Sequence, residues 1–436
     1  MQFLVSLFTV DRLAFLMAGL ISFIGITVLT FSKVYMHCSV DYKHFMKKLA
    51  LTIATVLILV FADNMILFFT AWVVSNSLLI MLIGHNKQWG AAQASSHLVG
   101  RYFKVGYFCL AIGMLWLFSI SDTVSITTLL KTTDPTKASL PMILIIITAF
   151  IQSALFPFHK WIMSSLNSPT PVSAFMHAGL INGGGFLLER FAPLILNNPL
   201  LLKLLFVVGI ISAVIGTSFK LIQSNIKTML AASTVGQMGF MIAECGLGLF
   251  PAALAHLFWH GCFKAYLFLS SGSALERPPS SERVPPCLSA FALALVCGVL
   301  GSYFFTLVLG VAWISSTTQM ILNIVVLLTG TQFAITYFNK KSIHRFSIIC
   351  FSTISMSGLY GLSIKCIESF LHPLGLEKTI TLTPFYGVGI IFLFVPWFLM
   401  LFRQKLQKTT WFCKWYVATL NKSQPASETI TSRNQW

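Results

Sequence analysis

The sequence predicts an all-α fold: a polytopic transmembrane helical bundle of about 13 helices, with a broken helix near residue 157. Three observations predict it. Of 436 residues, 56% are hydrophobic and 9% charged, with a mean hydropathy of +0.82, whereas soluble domains carry roughly 25% charged residues. Apolar runs recur at about the 20 residues that a bilayer core demands of a helix. The charges that remain fall mostly between those runs, as lipid requires.

Taken in order, the runs centre near residues 22, 55, 74, 110, 150, 181, 210, 235, 262, 300, 328, 354 and 392. The first lacks the basic n-region and small-residue cleavage site of a signal peptide, so it is expected to stay as a span. An alternating topology collects Lys33, Lys43, Lys47, Lys48, Lys87, Arg101, Lys104, Lys160, Lys220, Arg277, Arg283, Lys340, Lys341, Arg345, Arg403, Lys405 and Lys408 on one side. The other side holds only Arg12, Lys131, Lys137, Arg190, Lys203, Lys365 and Lys378. By the positive-inside rule the rich side is cytoplasmic, the N-terminus outside and the C-terminus inside. The net charge of +17 is then mostly a loop bias, and nucleic-acid binding is not needed to explain it. Residues 1–402 read as one integral membrane domain. Residues 403–436 read as a cytoplasmic amphipathic segment, RQKLQKTTWFCKWY, followed by a disordered tail. The nine cysteines are scattered and form no CxxC, so they imply neither a disulfide framework nor a metal knuckle.

Subtracting the loops leaves few ionisable groups inside the apolar runs: His177, Lys227, His256, His260 and Lys264, with Asp63, Glu189 and Glu244 near run ends. Such a group costs about 2.5–3.5 kcal/mol on insertion scales and usually faces a bundle interior or a water-filled path. At about 100° per residue, positions 256, 260 and 264 share one helix face over about 12 Å of axis. Imidazole and a desolvated ammonium both exchange protons near neutral pH, which a proton relay requires. Core residues fixing helix contacts are the alternative. A zinc site at His256 and His260 is disfavoured, because Leu257 stands where HExxH needs its glutamate.

Backbone breaks point to the same region. Pro157 falls inside a run, and Pro169 and Pro171 fall just before the next. Proline removes a helical donor, and broken helices at membrane depth line cavities or ion sites. Gly183, Gly184 and Gly185 read as close helix packing.

The segments SALFPFHKWIMSSLNSPTPVSAFMHAGLINGGGFLLERFAPL, SNIKTMLAASTVGQMGFM and HLFWHGCFKAYLFLSSGSAL resemble the antiporter-type proton-conducting subunits of respiratory complex I and Mrp antiporters. HAGLINGGGFLLERFAPL, STVGQMGFM followed by CGLG, and FIGITVLTFSKVYM are most similar to the DabB-type membrane subunits of inorganic carbon transporters. The resemblance covers about residues 10 to 275. It implies conduction of protons, or sodium, through His177, Lys227, His256, His260 and Lys264, in a bacterial cytoplasmic (inner) membrane. It also implies a DabA-type peripheral partner, β-carbonic-anhydrase-like, which would carry zinc and the chemistry of CO2 hydration or bicarbonate accumulation. No cofactor and no enzymatic step are expected on this chain. An antiporter-like subunit of a complex I, membrane hydrogenase or Mrp assembly is the alternative, and a structural anchor with a dead channel is a third. Two positions depart from the complex I pattern: Val73 follows Trp72 where those relatives have glutamate, and Gln152 replaces the lysine before the broken-helix proline. Their buried ion pair is thus absent on both sides, which strands no charge. Restoring both charges is expected to recouple the two positions.

Overall fold

The computed structural model describes residues 7–272, 288–338, 345–376, 378, 380–406 and 408–430; the expectations for Arg277, Arg283, Cys287, Lys340, Lys341 and residues 431–436 fall outside them. The described chain is helical. In order come α1 (Arg12–Tyr35), α2 (Tyr42–Phe61), α3 (Met65–Ile83), α4 (Gly90–Ser121), α5 (Ile126–Thr132), α6 (Ser139–Gln152), α7 (Lys160–Ser164), α8 (Thr170–Ala178), α9 (Gly183–Arg190) and α10 (Ala192–Leu196). Then follow α11 (Pro199–Ile222), α12 (Ile226–Gly246), α13 (Phe250–Leu269), α14 (Leu288–Leu309), α15 (Gln319–Tyr337), α16 (Phe346–Leu371), α17 (Pro384–Leu406) and α18 (Thr410–Ser423). Every centre expected from sequence falls inside one of these helices or at a break between two short ones.

Eight helices of the described residues are long and apolar enough to cross a membrane: α1 to α4, α11 and α14 to α16. α12 and α13 match them in length, but Lys227, Glu244, His256, His260 and Lys264 lower their hydropathy. Large side chains such as Phe15, Phe23, Phe263 and Leu115 are exposed on the outer faces, where lipid, not water, is the matching solvent. Short connections such as 62–64, 84–89 and 223–225 force consecutive helices to run antiparallel. Helix ends are capped locally: Asp11 accepts from Ala14 N at 2.7 Å, and Asn64 from Ile66 N at 2.9 Å.

Two connections are unusual. α6 stops at Gln152, Ala154 takes a left-handed φ of +53°, and the chain restarts at Lys160 after the cis Phe156–Pro157 peptide. The expected break near residue 157 is therefore present, with Phe156 N donating to Ser212 Oγ at 3.2 Å. Pro169 and Pro171 stand where the sequence placed them, just before and at the start of the next helix, with the chain non-helical at Ser168 and Pro169. They begin α8, where proline loses no intrahelical bond and its φ suits the first turn. The second interruption lies downstream, at Gly179 and the 3-10 turn Leu180–Asn182.

α11 and α12 pack backbone to backbone. A Cβ added to Gly216 would lie 2.2 Å from Gly236 N, one on Gly239 2.5 Å from Ala213 N, and one on Gly246 2.3 Å from Phe206 N. Gly184 packs in the same way on α6, where a Cβ would meet Ser153 Oγ at 2.1 Å.

Two expectations about charge and order change. Arg190 is not a loop residue: it is buried, pairs with Asp11, and donates to Val60 O at 3.0 Å. The tail expected to be disordered is ordered as far as it is described. Gln223 Nε2 donates to Ser423 Oγ at 2.6 Å, Ala426 N to Ser164 Oγ at 3.0 Å, and Asn167 Nδ2 to Thr429 O at 2.8 Å, while Glu428 pairs with Arg101. Its low hydrophobicity misled because polar groups around the α6–α8 break supply its partners.

Candidate functional site

α13 presents two faces. Trp259, Phe263 and Tyr266 point outward and are exposed, while His256, His260 and Lys264 face the interior and are 8%, 5% and 1% exposed. The inward face meets α8 and α9 on one side and α12 on the other. It forms a polar line along the bundle axis.

At one end of the line, His256 Nδ1 lies 3.0 Å from Glu244 Oε2, and Tyr360 OH lies 3.5 Å from Glu244 Oε1. Glu244 is fully buried. The carboxylate that sequence did not offer within a turn of His256 thus arrives from the C-terminal turn of α12. Glu189, also buried, lies within electrostatic range of Glu244. In the middle, the His256 and His260 rings are 6.4 Å apart. Asn182, in the turn before α9, sits against Gly261, where a Cβ would come 3.2 Å from its Nδ2.

At the other end, Lys264 Nζ donates to Leu230 O at 2.9 Å, and Thr234 Oγ1 donates to the same carbonyl at 3.0 Å. Thr234 Oγ1 also lies 3.0 Å from His177 Nδ1, a contact in which the imidazole accepts or donates according to its tautomer. The ring also stacks on Phe268 at 4.3 Å. Lys264 and His177 are thereby joined through Leu230 O and Thr234.

Several buried atoms along the line make no hydrogen bond within the described protein: His177 Nε2, Asn182 Oδ1, His256 Nε2, both His260 nitrogens and both Glu189 oxygens. Buried polar atoms are nearly always hydrogen-bonded, and this row of exceptions sets the path apart from the apolar core around it. Lys227 stands apart. It is in the first turn of α12, half-buried, at the helix end and not at its middle.

The departures from the ion-pair pattern resolve into a different pair. Gln152 Nε2 donates to Asn76 Oδ1 at 3.1 Å and to Leu180 O at 2.9 Å, and Asn76 Nδ2 donates back to Gln152 Oε1 at 3.1 Å. Both residues are buried, and they line a cavity of about 20 Å³ with Trp72, Ser75, Gly179 and Gly183. Val73 is not among the residues lining that cavity, and Asn76, a turn later on α3, supplies the partner. The expectation that positions 73 and 152 face each other is therefore corrected to 76 and 152. Asp63, noted as a possible intramembrane acid, instead accepts from Ser125 Oγ at 2.6 Å and Thr127 N at 2.9 Å, tying the start of α5.

Thr234, Glu244, Asn182 and Asn76 were not assembled by sequence reasoning. For Glu244 a signal existed, an acid in an otherwise apolar run; for the neutral residues none did.

The family model for the transmembrane region of NADH:quinone oxidoreductase and Mrp antiporters matches residues 62–284. The probable inorganic carbon transporter subunit DabB1 of Halothiobacillus neapolitanus is 36% identical over 285 residues, 63% of this chain and 51% of that protein. DabB2 of the same organism is 30% identical over 422 residues, 89% of this chain and 73% of that protein. The chain thus spans about half the length of the first of these relatives. Among solved structures, the Mrp complex from Dietzia sp. DQ12-45-1b contains a chain that aligns with a TM-score of 0.57 and 21% identity, covering 96% of this chain and 45% of that one. That likeness concerns the fold.

Proposed function

The chain belongs to the NADH:quinone oxidoreductase/Mrp antiporter transmembrane family, in its DabB branch, and from that premise we propose that it conducts protons, or sodium, as the membrane subunit of an inorganic carbon uptake complex. The observation that carries the conduction reading is the row of buried polar and ionisable groups from Glu244, with half-buried Tyr360 beside it, through His256, His260 and Lys264 to Thr234 and His177. Each group can accept or donate a proton, or contact an ion, and the helices shield it from lipid.

In this reading Glu244 and His256 form the exchange site at one end, His260 bridges the middle, and Lys264 and His177 serve the basic end. The basic end is cytoplasmic, with the N-terminus outside in a bacterial inner membrane. The neutral Asn76–Gln152 pair favours simple conduction over antiporter-style pumping, because a pair without charge does not respond to an arriving proton through its field. The hydration chemistry resides on a DabA-type, carbonic-anhydrase-like zinc partner docked on the cytoplasmic side.

The test is growth of a carbonic-anhydrase-deficient host in ambient air. Rescue is expected with this chain and its partner together and not with either alone. Rescue by this chain alone would refute the division of labour.

A further inference from the structure

Away from the axial line, α3 and α4 enclose a groove of about 410 Å³ lined by Ser77, Ile80, Ser96, His97, Gly100, Arg101, Lys104 and Tyr107. It lies where α3 ends and α4 begins, on the side where basic residues gather. Three of its residues, His97, Arg101 and Lys104, follow i, i+4, i+7 spacing and share one exposed face of α4, where Arg101 and Lys104 give the groove a positive mouth. The Tyr107 hydroxyl is buried there beside the Ser77 side chain. Ser96 Oγ donates to Ile80 O at 2.9 Å and fixes the spacing of the two helices.

The surface beside the groove changes along the helix axes. Because α3 and α4 run in opposite directions, Val74 on α3 and Val105 and Phe108 on α4 lie deeper in the bilayer than the cationic mouth, and all three are exposed and apolar. A charged rim continuous with a lipid-facing apolar strip has the polarity of a phospholipid in its leaflet. Guanidinium binds phosphate oxygens bidentately, and an ammonium adds a point charge. A volume of several hundred Å³ suits a small ligand or headgroup.

We infer that the α3–α4 groove binds the phosphate-bearing headgroup of an anionic lipid, with Arg101 and Lys104 on the phosphate, Tyr107 donating from below, and an acyl chain along Val105 and Phe108. Free inorganic phosphate shares the headgroup chemistry but makes no use of the apolar strip. In the structure Arg101 pairs with Glu428, so the tail offers its carboxylate to the same guanidinium.

Native mass spectrometry of the delipidated full-length chain tests this with dioleoylphosphatidylglycerol, dioleoylphosphatidylcholine and inorganic phosphate as probes. The expected result is one phosphatidylglycerol bound at least tenfold more tightly than phosphatidylcholine, with the preference lost in the Arg101→Gln/Lys104→Gln double variant. Both side chains are exposed, so the variant should elute and melt as the wild type does; should it not, Tyr107→Phe, which removes only a hydroxyl, is expected to weaken phosphatidylglycerol severalfold. Equal binding of the two lipids, or a preference unchanged in the variants, overturns the inference. Displacement of phosphatidylglycerol by millimolar inorganic phosphate overturns the lipid assignment.

Discussion

Replacing Gln152 by leucine tests whether the neutral amide pair is the structural successor of an ion pair. The substitution removes three hydrogen bonds, two with Asn76 at 3.1 Å and one with Leu180 O at 2.9 Å. A net hydrogen bond contributes about 1 kcal/mol in soluble proteins, and interhelical side-chain bonds in bilayers average about 0.6. Three bonds therefore put the loss at about 2–3 kcal/mol. Asn76→Leu removes two of the same bonds and should cost about 1–2 kcal/mol. If the pair is reciprocal, the double variant should cost less than the sum by about 1–2 kcal/mol, because the two shared bonds can be lost only once. The assay is a double-mutant cycle on unfolding free energy in mixed micelles. Val73→Leu with Gln152→Leu serves as the additive control. A coupling within the roughly 0.3–0.5 kcal/mol error of additivity for 76 and 152, or a larger coupling for 73 and 152, would refute the assignment.

Charge restoration follows the same geometry: Gln152→Lys alone should destabilise the protein, Asn76→Glu should recover much of the loss, and Val73→Glu should not, as thermal midpoints of the purified protein would record. Lys264→Ala should abolish ion flux in proteoliposomes while leaving helix content and elution unchanged, since the Leu230 carbonyl it leaves keeps its Thr234 contact; flux at the wild-type rate would make Lys264 a packing residue. Glu244→Gln keeps a hydrogen-bond acceptor for His256 but removes the charge, so transport should fall at least tenfold with little change in stability; equal loss from Glu244→Gln and Glu244→Leu would instead indicate a positional role. Gly184→Ala should cost about 1–3 kcal/mol through overpacking, because its Cβ would meet Ser153 Oγ and Ala149 O, and a neutral result by chemical denaturation would contradict the α6–α9 contact.

The helices and their order were legible because lipid imposes a simple ruler: about 20 apolar residues, then polar ones. The ladder was legible for a related reason. His256, His260 and Lys264 conflict with their surroundings, and their spacing on one helix fixes their common face. What escaped depends on contacts between distant segments. Asn76 and Gln152 are ordinary amides until α3 and α6 bring them together, and a one-turn difference between positions 73 and 76 is beyond what a motif can locate. Pro169 and Pro171 were legible for a local reason, since proline just before an apolar run is suited to begin the helix there. The tail misled because composition reports what a segment can bury by itself, not what neighbours offer its backbone.

The contact of α11 with α12 bears on how such a protein could move. Where Gly216 faces Gly236 and Gly239 faces Ala213, the two main chains touch with no side-chain layer between them. Sliding one helix along the other by a turn would bring Ala213 or Phe219 level with Gly236, in spaces sized for hydrogen. The pair therefore behaves as a fixed strut, and α12 carries Leu230, Thr234 and Glu244 on it as stationary marks. The backbone already released from helical hydrogen bonding lies on the opposite bank, at the interruptions after Gln152 and Ala178, and a rearrangement there would leave the strut intact.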